Sequence, residues 1–150
     1  MTIIEAVRDY IKTCPYLKEF EDEIVKVNVD KLEEDATVYS INESVFKPVL
    51  KRYIDGSSER QFVFVFASRE SYGKDVIENI NNIGFYEDFA DWLENNSKQG
   101  ILPSLEEGKQ ALSIQAITNG YAFQTDENSA RYQIQLKLIY LQKGGIKNGY

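Results

Sequence analysis

Residues 131–142 read RYQIQLKLIYLQ, and this stretch decides the fold class because polar and apolar side chains alternate along most of it. Successive side chains of a strand point to opposite faces of a sheet. One face here is apolar and the other carries polar groups, a pattern typical of an antiparallel strand with one side on the core. The apolar set is Tyr132, Ile134, Leu136, Leu138 and Tyr140, and the polar set is Arg131, Gln133, Gln135 and Lys137.

A second β segment, QFVFVFA at residues 61–67, is apolar on both faces. Such a strand is usually central in its sheet and covered on both sides. A helix layer accounts for one cover, and a neighbouring subunit is a candidate for the other. The two faces are Phe62, Phe64 and Phe66 on one side and Val63, Val65 and Ala67 on the other. Residues 49–54 predict the preceding strand, and the turn-forming residues 55–59 predict an antiparallel hairpin between the two.

The last third of the chain predicts further strands. Residues 111–118 alternate, with Leu112, Ile114 and Ala116 on one face. Asn119-Gly120 predicts a bulge or kink rather than a tight turn, because a partner strand would be very short, and strand character resumes at 121–123. Residues 125–129 predict the turn before the long final strand.

Helical patterns precede and follow the first hairpin. Thr2 and Glu5 form a capping box that opens a helix over 3–13, which Pro15 brings to an end. Residues 75–82 have helical spacing, and Gly84 interrupts them. A further helix over 85–96 places its apolar residues at i, i+4, i+7 and i+8, namely Phe85, Phe89, Trp92 and Leu93.

These elements predict an α+β fold in which helices pack on one face of an antiparallel β-sheet. We expect one domain over 1–142 and a flexible, glycine-rich C-terminal tail over 143–150. Short strands are also suggested by alternating valines at 25–29 and by residues 36–41.

Composition argues against most enzyme chemistry. The 150 residues include no histidine and one cysteine, Cys14, which excludes serine–histidine and cysteine–histidine catalysis, histidine-ligated zinc and an internal disulfide framework. A formal charge of −7 disfavours nucleic acid and anionic membranes as main partners. The first residues lack an export signal, and no apolar run approaches a membrane span. We therefore expect a protein that is not an enzyme and binds no cofactor.

Two further groups of residues are candidate sites. Glu87, Asp91 and Glu94, here called the carboxylate stripe, share one helix face and are the best candidates for a hard cation, but such a face is more often simply solvated. We expect no metal.

Tyrosine is abundant, and the number of tyrosines weakly favours an interaction protein. The tyrosines that exceed what one core of this size is expected to bury are Tyr16, Tyr39, Tyr53, Tyr72, Tyr86, Tyr121, Tyr132 and Tyr140.

Four stretches together resemble a known class of protein: YIKTCP at 10–15, KRYIDGSSERQF at 51–62, SRESYG at 68–73 and ARYQIQ at 130–135. The chain resembles small proteins, often labelled minor capsid proteins, from the head–tail genes of tailed phages and prophages of Gram-positive bacteria. They are similar to tail terminators, also called tail-to-head joining proteins. The resemblance covers nearly the whole chain, and its motifs are structural rather than catalytic.

The resemblance implies a hexameric ring that caps the tail tube, ends its polymerisation and presents a surface to the head connector. It implies a homo-oligomer in the tail or neck of a virion, assembled in the host cytoplasm, with the tail tube protein and the head connector as partners. DNA would pass the lumen without specific binding, and six copies at −7 each would give the ring −42. The alternatives are a head-completion or connector protein and, from another class, a monomeric, non-enzymatic, ligand-binding α+β domain.

The predicted interface lies at the two hairpin tips, because binding groups concentrate on loops held by a rigid sheet. The residues expected there are Asp55, Ser57, Ser58, Glu59 and Arg60 at the first tip, and Asp126, Glu127 and Asn128 at the second.

Overall fold

In the part of the chain that the structure describes, two helices cover one face of a seven-stranded β-sheet. The computed structural model describes residues 1–17, 27–29, 38–71, 76–125 and 129–144. The elements in chain order are α1 (Ile3–Ile11), β1 (Val27–Val29), β2 (Val38–Glu43), β3 (Val49–Arg52), β4 (Ser58–Ser71), α2 (Val76–Gln99), β5 (Lys109–Ala116), β6 (Tyr121–Thr125) and β7 (Ser129–Gln142).

The long strands β4 and β7 form the centre of the sheet. They pair antiparallel over their whole length, from Ser58 opposite Gln142 to Ser71 opposite Ser129. The outer edge of β4 is shared by β3 and β2, and the outer edge of β7 is shared by β5 and β6. Among the strands that the structure describes, β1 alone runs parallel to its neighbour, β2. The predicted α+β class, the antiparallel hairpin of β3 and β4 and the central position of residues 61–67 are confirmed.

The helix-facing side of the sheet holds the core. The apolar set predicted from residues 131–142 is buried, with Ile134, Leu136 and Leu138 fully so. Phe66 of β4 stacks on Phe89 of α2 with 4.6 Å between ring centroids. The alternation of β7 therefore identified the core face correctly.

Helix α1 begins as predicted and ends earlier. The side chain of Thr2 accepts a hydrogen bond from the backbone of Glu5, and the Glu5 carboxylate accepts one from the backbone of Thr2, which completes the capping box. The helix ends at Ile11 rather than at residue 13, because the Thr13 hydroxyl donates to the Tyr10 carbonyl at 2.6 Å and the chain turns there.

Helix α2 is one continuous element over Val76–Gln99, so the prediction of two helices separated at Gly84 is wrong. A glycine inside a helix costs only about 1 kcal/mol relative to alanine. Packing of Tyr86, Phe89 and Leu93 against the sheet outweighs that cost, since all three are essentially buried. The helix also continues past residue 96 and ends at Gln99, before Gly100 with a φ of 77°.

Strand β5 contains a bulge that corrects the predicted face of Leu112. The register with β7 shifts between Ala111 and Ser113, so that Leu112 is 41% exposed while Ile114 is buried. Ser97 at the end of α2 fastens the helix to this strand, because its hydroxyl donates to the Ile114 carbonyl and accepts from the Ile114 amide. The predicted interruption at 119–120 is confirmed, since β5 and β6 pair with the same edge of β7.

The sheet face opposite the helices is partly covered within the single chain. Val63 and Ala67 of β4 point to that face and are 7% and 0% exposed, and Ser40 of β2 beside Ala67 is 0% exposed. Val63 and Ala67 are thus buried within one chain, whereas Val65 on the same face is half-buried, and cover by a neighbouring subunit stays a prediction.

Tyrosine proves to be largely a core residue. Tyr39, Tyr86, Tyr132 and Tyr140 are all at most 5% exposed, so four of the eight tyrosines predicted to exceed the needs of the core are buried. The Tyr86 hydroxyl lies 2.6 Å from the Ser68 hydroxyl and donates to the Tyr132 carbonyl at 3.0 Å. Exposed tyrosines are Tyr16, Tyr53 and Tyr121, and Tyr72 lies outside the described residues.

Candidate interaction surfaces

The turn between β3 and β4 is hydrogen-bonded and ends before Ser58, earlier than the predicted turn over 55–59. The Tyr53 amide donates to the Ser57 carbonyl at 2.9 Å, and the Gly56 amide donates to the Tyr53 carbonyl at 3.0 Å. Gly56 has a φ of 90°, as expected for the left-handed position of a three-residue hairpin loop. The Asp55 carboxylate accepts hydrogen bonds from the Ser57 hydroxyl and amide, which lower the pKa of Asp55.

Three of the five predicted residues at this tip belong to β4 rather than to the turn. Ser58 is 2% exposed and its hydroxyl accepts a hydrogen bond from Arg60 Nε at 2.9 Å. Glu59 and Arg60 are half-buried between β3 and β7, opposite residues of both strands. Only Asp55 is exposed, and Ser57 is half-buried. The second predicted set, Asp126, Glu127 and Asn128, lies outside the described residues.

Several apolar side chains in and beside this hairpin are exposed, and they were not predicted as site residues. Ile54 at the apex of the turn is 107% exposed, and Val45 in the segment before β3 is 104% exposed. Leu50 and Tyr53 add partly exposed apolar surface at 40% and 38%. The available signal was the position of Ile54 directly before Asp-Gly, where a turn leaves a side chain without neighbours.

Three exposed cations lie in the same segment of the chain as these apolar side chains. Lys47, Lys51 and Arg52 are exposed, and Lys51 Nζ lies 5.2 Å from the centre of the Tyr53 ring. Residues 44–56 carry three basic side chains and one acidic one, in a chain with a net charge of −7. We call this surface the hairpin patch, and its members are Val45, Lys47, Leu50, Lys51, Arg52, Tyr53 and Ile54.

The two hairpin connections lie at opposite ends of the sheet. The β3–β4 turn precedes Ser58, which pairs with Gln142, whereas β6 and β7 are joined beside Ser71, which pairs with Ser129. The fourteen residues of β4 separate the two ends by about 43 Å of extended strand. At the hairpin end, Gly144 approaches the backbone of Asp55 and Gly56 so closely that a Cβ would overlap it.

An apolar cleft opens between α1 and the segment after α2. It has a volume of about 320 Å³ and is lined by side chains that include Ala6, Asp9, Tyr10, Thr13, Ile101 and Leu102. Tyr10 fixes one wall, because its hydroxyl donates to the Ile101 carbonyl at 2.8 Å and accepts from Asn96 Nδ2 at 3.1 Å. Burial raises the pKa of the Tyr10 hydroxyl. We call this feature the α1 cleft.

Cys14 lies just after α1, and the carboxylate stripe lies on α2. Burial raises the pKa of the Cys14 thiol to about 11, so the thiol stays protonated at neutral pH. The carboxylate stripe is exposed on α2, and Glu94 lies 3.8 Å from Lys98. Within the described ranges, no three acidic, histidine or cysteine side chains converge as metal ligands, and no helix is long and apolar enough to span a membrane.

No protein-family model matches this chain, and no curated protein matches it with significance.

Proposed function

We propose that this chain is a structural protein of tailed-phage assembly, of the tail-terminator type. In this role it forms a ring on the tail tube, ends the growth of the tube and provides a surface for the head connector. The observation that supports this proposal best is the placement of two hairpin connections at opposite ends of one long β4–β7 ladder. A ring subunit must meet one protein below and another above, and a rigid sheet with a contact loop at each end suits that task.

The charge of the chain supports the same role. Six copies of a chain with a net charge of −7 carry −42, and DNA binds proteins chiefly through lysine and arginine contacts to its phosphates. DNA can therefore pass such a ring without being held. The three cations of the hairpin patch lie on a hairpin with exposed apolar side chains, a combination more typical of a protein contact than of a phosphate-binding surface.

The ligand-binding alternative is supported by the α1 cleft. Its volume of about 320 Å³ is at the lower end of the range for small-molecule sites, and its walls are mainly apolar. In this role the protein would work as a monomer, and a small apolar molecule would raise its thermal stability by mass action. We place it second because it rests on the cleft alone.

Deletion of the gene in the phage or prophage that carries it tests the proposal and separates it from the head-completion alternative. A tail terminator is required to stop the tube, so its loss should give tails of uncontrolled, excessive length in electron micrographs. Loss of a head-completion protein should instead leave tails of normal length beside unjoined heads. Normal tails joined to heads in the deletion strain would refute both roles.

A purified-component assay supplies the matched control. Added protein should stop tube protein polymerisation in a dose-dependent manner and should appear as a ring at one tube end. A variant in which residues 54–56 are shortened to Asn-Gly keeps the β3–β4 pairing and serves to test whether that end of the molecule contributes. Unchanged tube lengths at saturating wild-type protein would refute the terminator role.

A further inference from the structure

Tyr140 of β7 carries a buried hydroxyl that has no hydrogen-bond partner among the described residues. The side chain is 5% exposed, and no described residue donates to its hydroxyl or accepts from it. Buried polar groups are nearly always hydrogen-bonded in native proteins, so an exception points to a bound ion, ligand or water molecule. Burial raises the pKa of this hydroxyl, although Arg60 and Lys109 lie close enough to act in the opposite direction. The hydroxyl is therefore protonated at neutral pH and can donate to an acceptor.

Three strands bring further hydrogen-bond donors to the same place, on the helix-facing side of the sheet near the β3–β4 turn. Arg60 of β4 lies directly opposite Tyr140, and Lys109 of β5 lies opposite Gln142, two residues further along β7. Directly paired side chains share one face of a sheet about 5 Å apart, and diagonal ones are about 7–8 Å apart. We call Ser58, Arg60, Lys109 and Tyr140 the donor cluster.

The two cations of the donor cluster keep donors for a ligand. Arg60 Nε donates to the Ser58 hydroxyl at 2.9 Å, and Lys109 Nζ donates to the Glu106 carboxylate. A guanidinium carries five N–H groups and an ammonium three, and neither can accept a hydrogen bond from Tyr140. Both side chains are half-buried, so solvent still reaches them. They differ in this respect from the exposed cations of the hairpin patch, because they lie beside a buried hydroxyl.

Donors that face one another without an acceptor suit an anion. The donors come from three strands, so a tetrahedral oxyanion, whose oxygens point in several directions, fits them better than a planar carboxylate does. Arginine and lysine are also the side chains that bind phosphate groups most often. The net charge of −7 repels a polyanion such as DNA much more strongly than it repels a small ion.

We propose that the donor cluster binds one phosphate group, held by the Tyr140 hydroxyl and by N–H groups of Arg60 and Lys109. Inorganic phosphate and a small phosphate monoester are two sources of this same chemistry. The site goes beyond the proposed function and does not depend on it.

An NMR titration of the purified, ¹⁵N-labelled full chain with inorganic phosphate tests the site, with chloride used to keep the ionic strength constant. We expect saturable shifts of the amide signals of residues 58–60, 109 and 140–142. Arg60→Gln should weaken binding at least about tenfold, the effect expected for one charge-assisted hydrogen bond.

Lys51→Gln is the matched control for Arg60→Gln. It removes the same charge from an exposed position, and Lys51 lies opposite Glu59, on the other face of the sheet from Arg60. We expect this variant to bind phosphate as the unaltered chain does. Shifts that do not saturate, or equal weakening by the two variants, would indicate general attraction to cations and would overturn the proposal.

Tyr140→Phe separates a ligand-binding hydroxyl from a structural one. Without phosphate the Tm should not change, because the hydroxyl has no hydrogen bond to a described residue to lose. Phosphate affinity should fall several-fold, and the rise in Tm that phosphate produces by mass action should shrink accordingly. Unchanged affinity would overturn the proposal, as would a Tm that falls by several degrees in the absence of phosphate.

Glycerol phosphate and a DNA duplex, titrated in the same way, distinguish the sources of the phosphate group. Tighter binding of glycerol phosphate would assign the site to a monoester, and tighter binding of the inorganic ion would assign it to free phosphate. A duplex that shifts the same signals at a lower concentration of phosphate groups would overturn the assignment to a small ligand. Tail length plays no part in these measurements, so the phosphate site and the terminator role can fail separately.

Discussion

The buried hydroxyl of Tyr86 allows a quantitative test of how α2 is held on the sheet. It lies 2.6 Å from the Ser68 hydroxyl and donates to the Tyr132 carbonyl at 3.0 Å. Tyr86, Ser68 and Tyr132 are all at most 2% exposed. Tyr86→Phe removes one hydroxyl and no carbon atom, so the packing of the ring is kept and only the hydrogen bonds are lost.

The expected cost follows from burial of the partners that remain. A buried polar group left without its partner costs about 1–3 kcal/mol, and water has no access to replace the lost hydroxyl here. Tyr86→Phe should therefore lower the free energy of unfolding by about 1–3 kcal/mol, and the Tm should fall by roughly 2–4 °C for each kcal/mol. Ser68→Ala should cost less, about 1 kcal/mol, because Tyr86 can still donate to the Tyr132 carbonyl.

Urea unfolding of the two single variants and the double variant measures the coupling directly. The double variant should be less destabilised than the sum of the single ones, by about 0.5 kcal/mol or more. Tyr53→Phe is the matched control, since Tyr53 is 38% exposed, and it should change stability by less than about 0.5 kcal/mol. If Tyr86→Phe behaves like Tyr53→Phe, or if the single effects simply add, the hydroxyl does not hold the helix and the reasoning fails.

Four further predictions concern the core, the thiol and cations. Phe89→Ala should lower the free energy of unfolding by about 3–5 kcal/mol. Trp92→Ala should lower it less, because Trp92 is only partly buried. The reverse order in urea unfolding would contradict this packing. Gly120→Ala should cost about 1–3 kcal/mol, because the added Cβ overlaps Tyr86, and an unchanged Tm would argue against that contact. Near neutral pH, Cys14 should react with a thiol reagent far more slowly in the native protein than in urea, because its pKa of about 11 keeps it protonated; equal rates would place it at the surface. Millimolar Ca²⁺ or Mg²⁺ should leave the Tm unchanged, and a rise of several degrees would make the carboxylate stripe a cation site.

The sequence was sufficient to predict the elements in which apolar and polar side chains recur at a regular spacing. In β7, side chains alternate without a break from Tyr132 to Leu138, so the core face could be assigned residue by residue. The capping box of Thr2 and Glu5 is equally local, since both its hydrogen bonds join residues three apart. The interruption before β6 was also predictable, because a two-residue turn there would leave too short a strand.

The candidate site was less predictable than the fold. The turn-forming residues predicted the β3–β4 connection correctly. They also led to the prediction that polar residues such as Ser58 and Arg60 belong to the interface. Those residues lie in β4 because β7 continues to pair as far as Gln142, a long-range contact that no local pattern reports. The exposure of Ile54 and the α1 cleft depend in the same way on which segments meet in space.

The sequence by itself determined the α+β class, the antiparallel hairpins and the core face of β7, because these follow from side-chain periodicity and turn residues within a few positions of one another. Tertiary structure alone decided three matters. Helix α2 continues through Gly84, because packing against the sheet outweighs the cost of a glycine inside a helix, about 1 kcal/mol relative to alanine. Tertiary structure turned Leu112 outward through a bulge set by pairing with β7. It buried Val63 within one chain and left Ile54 exposed, because burial is a property of what the rest of the chain places beside a residue and not of the residue's own hydrophobicity.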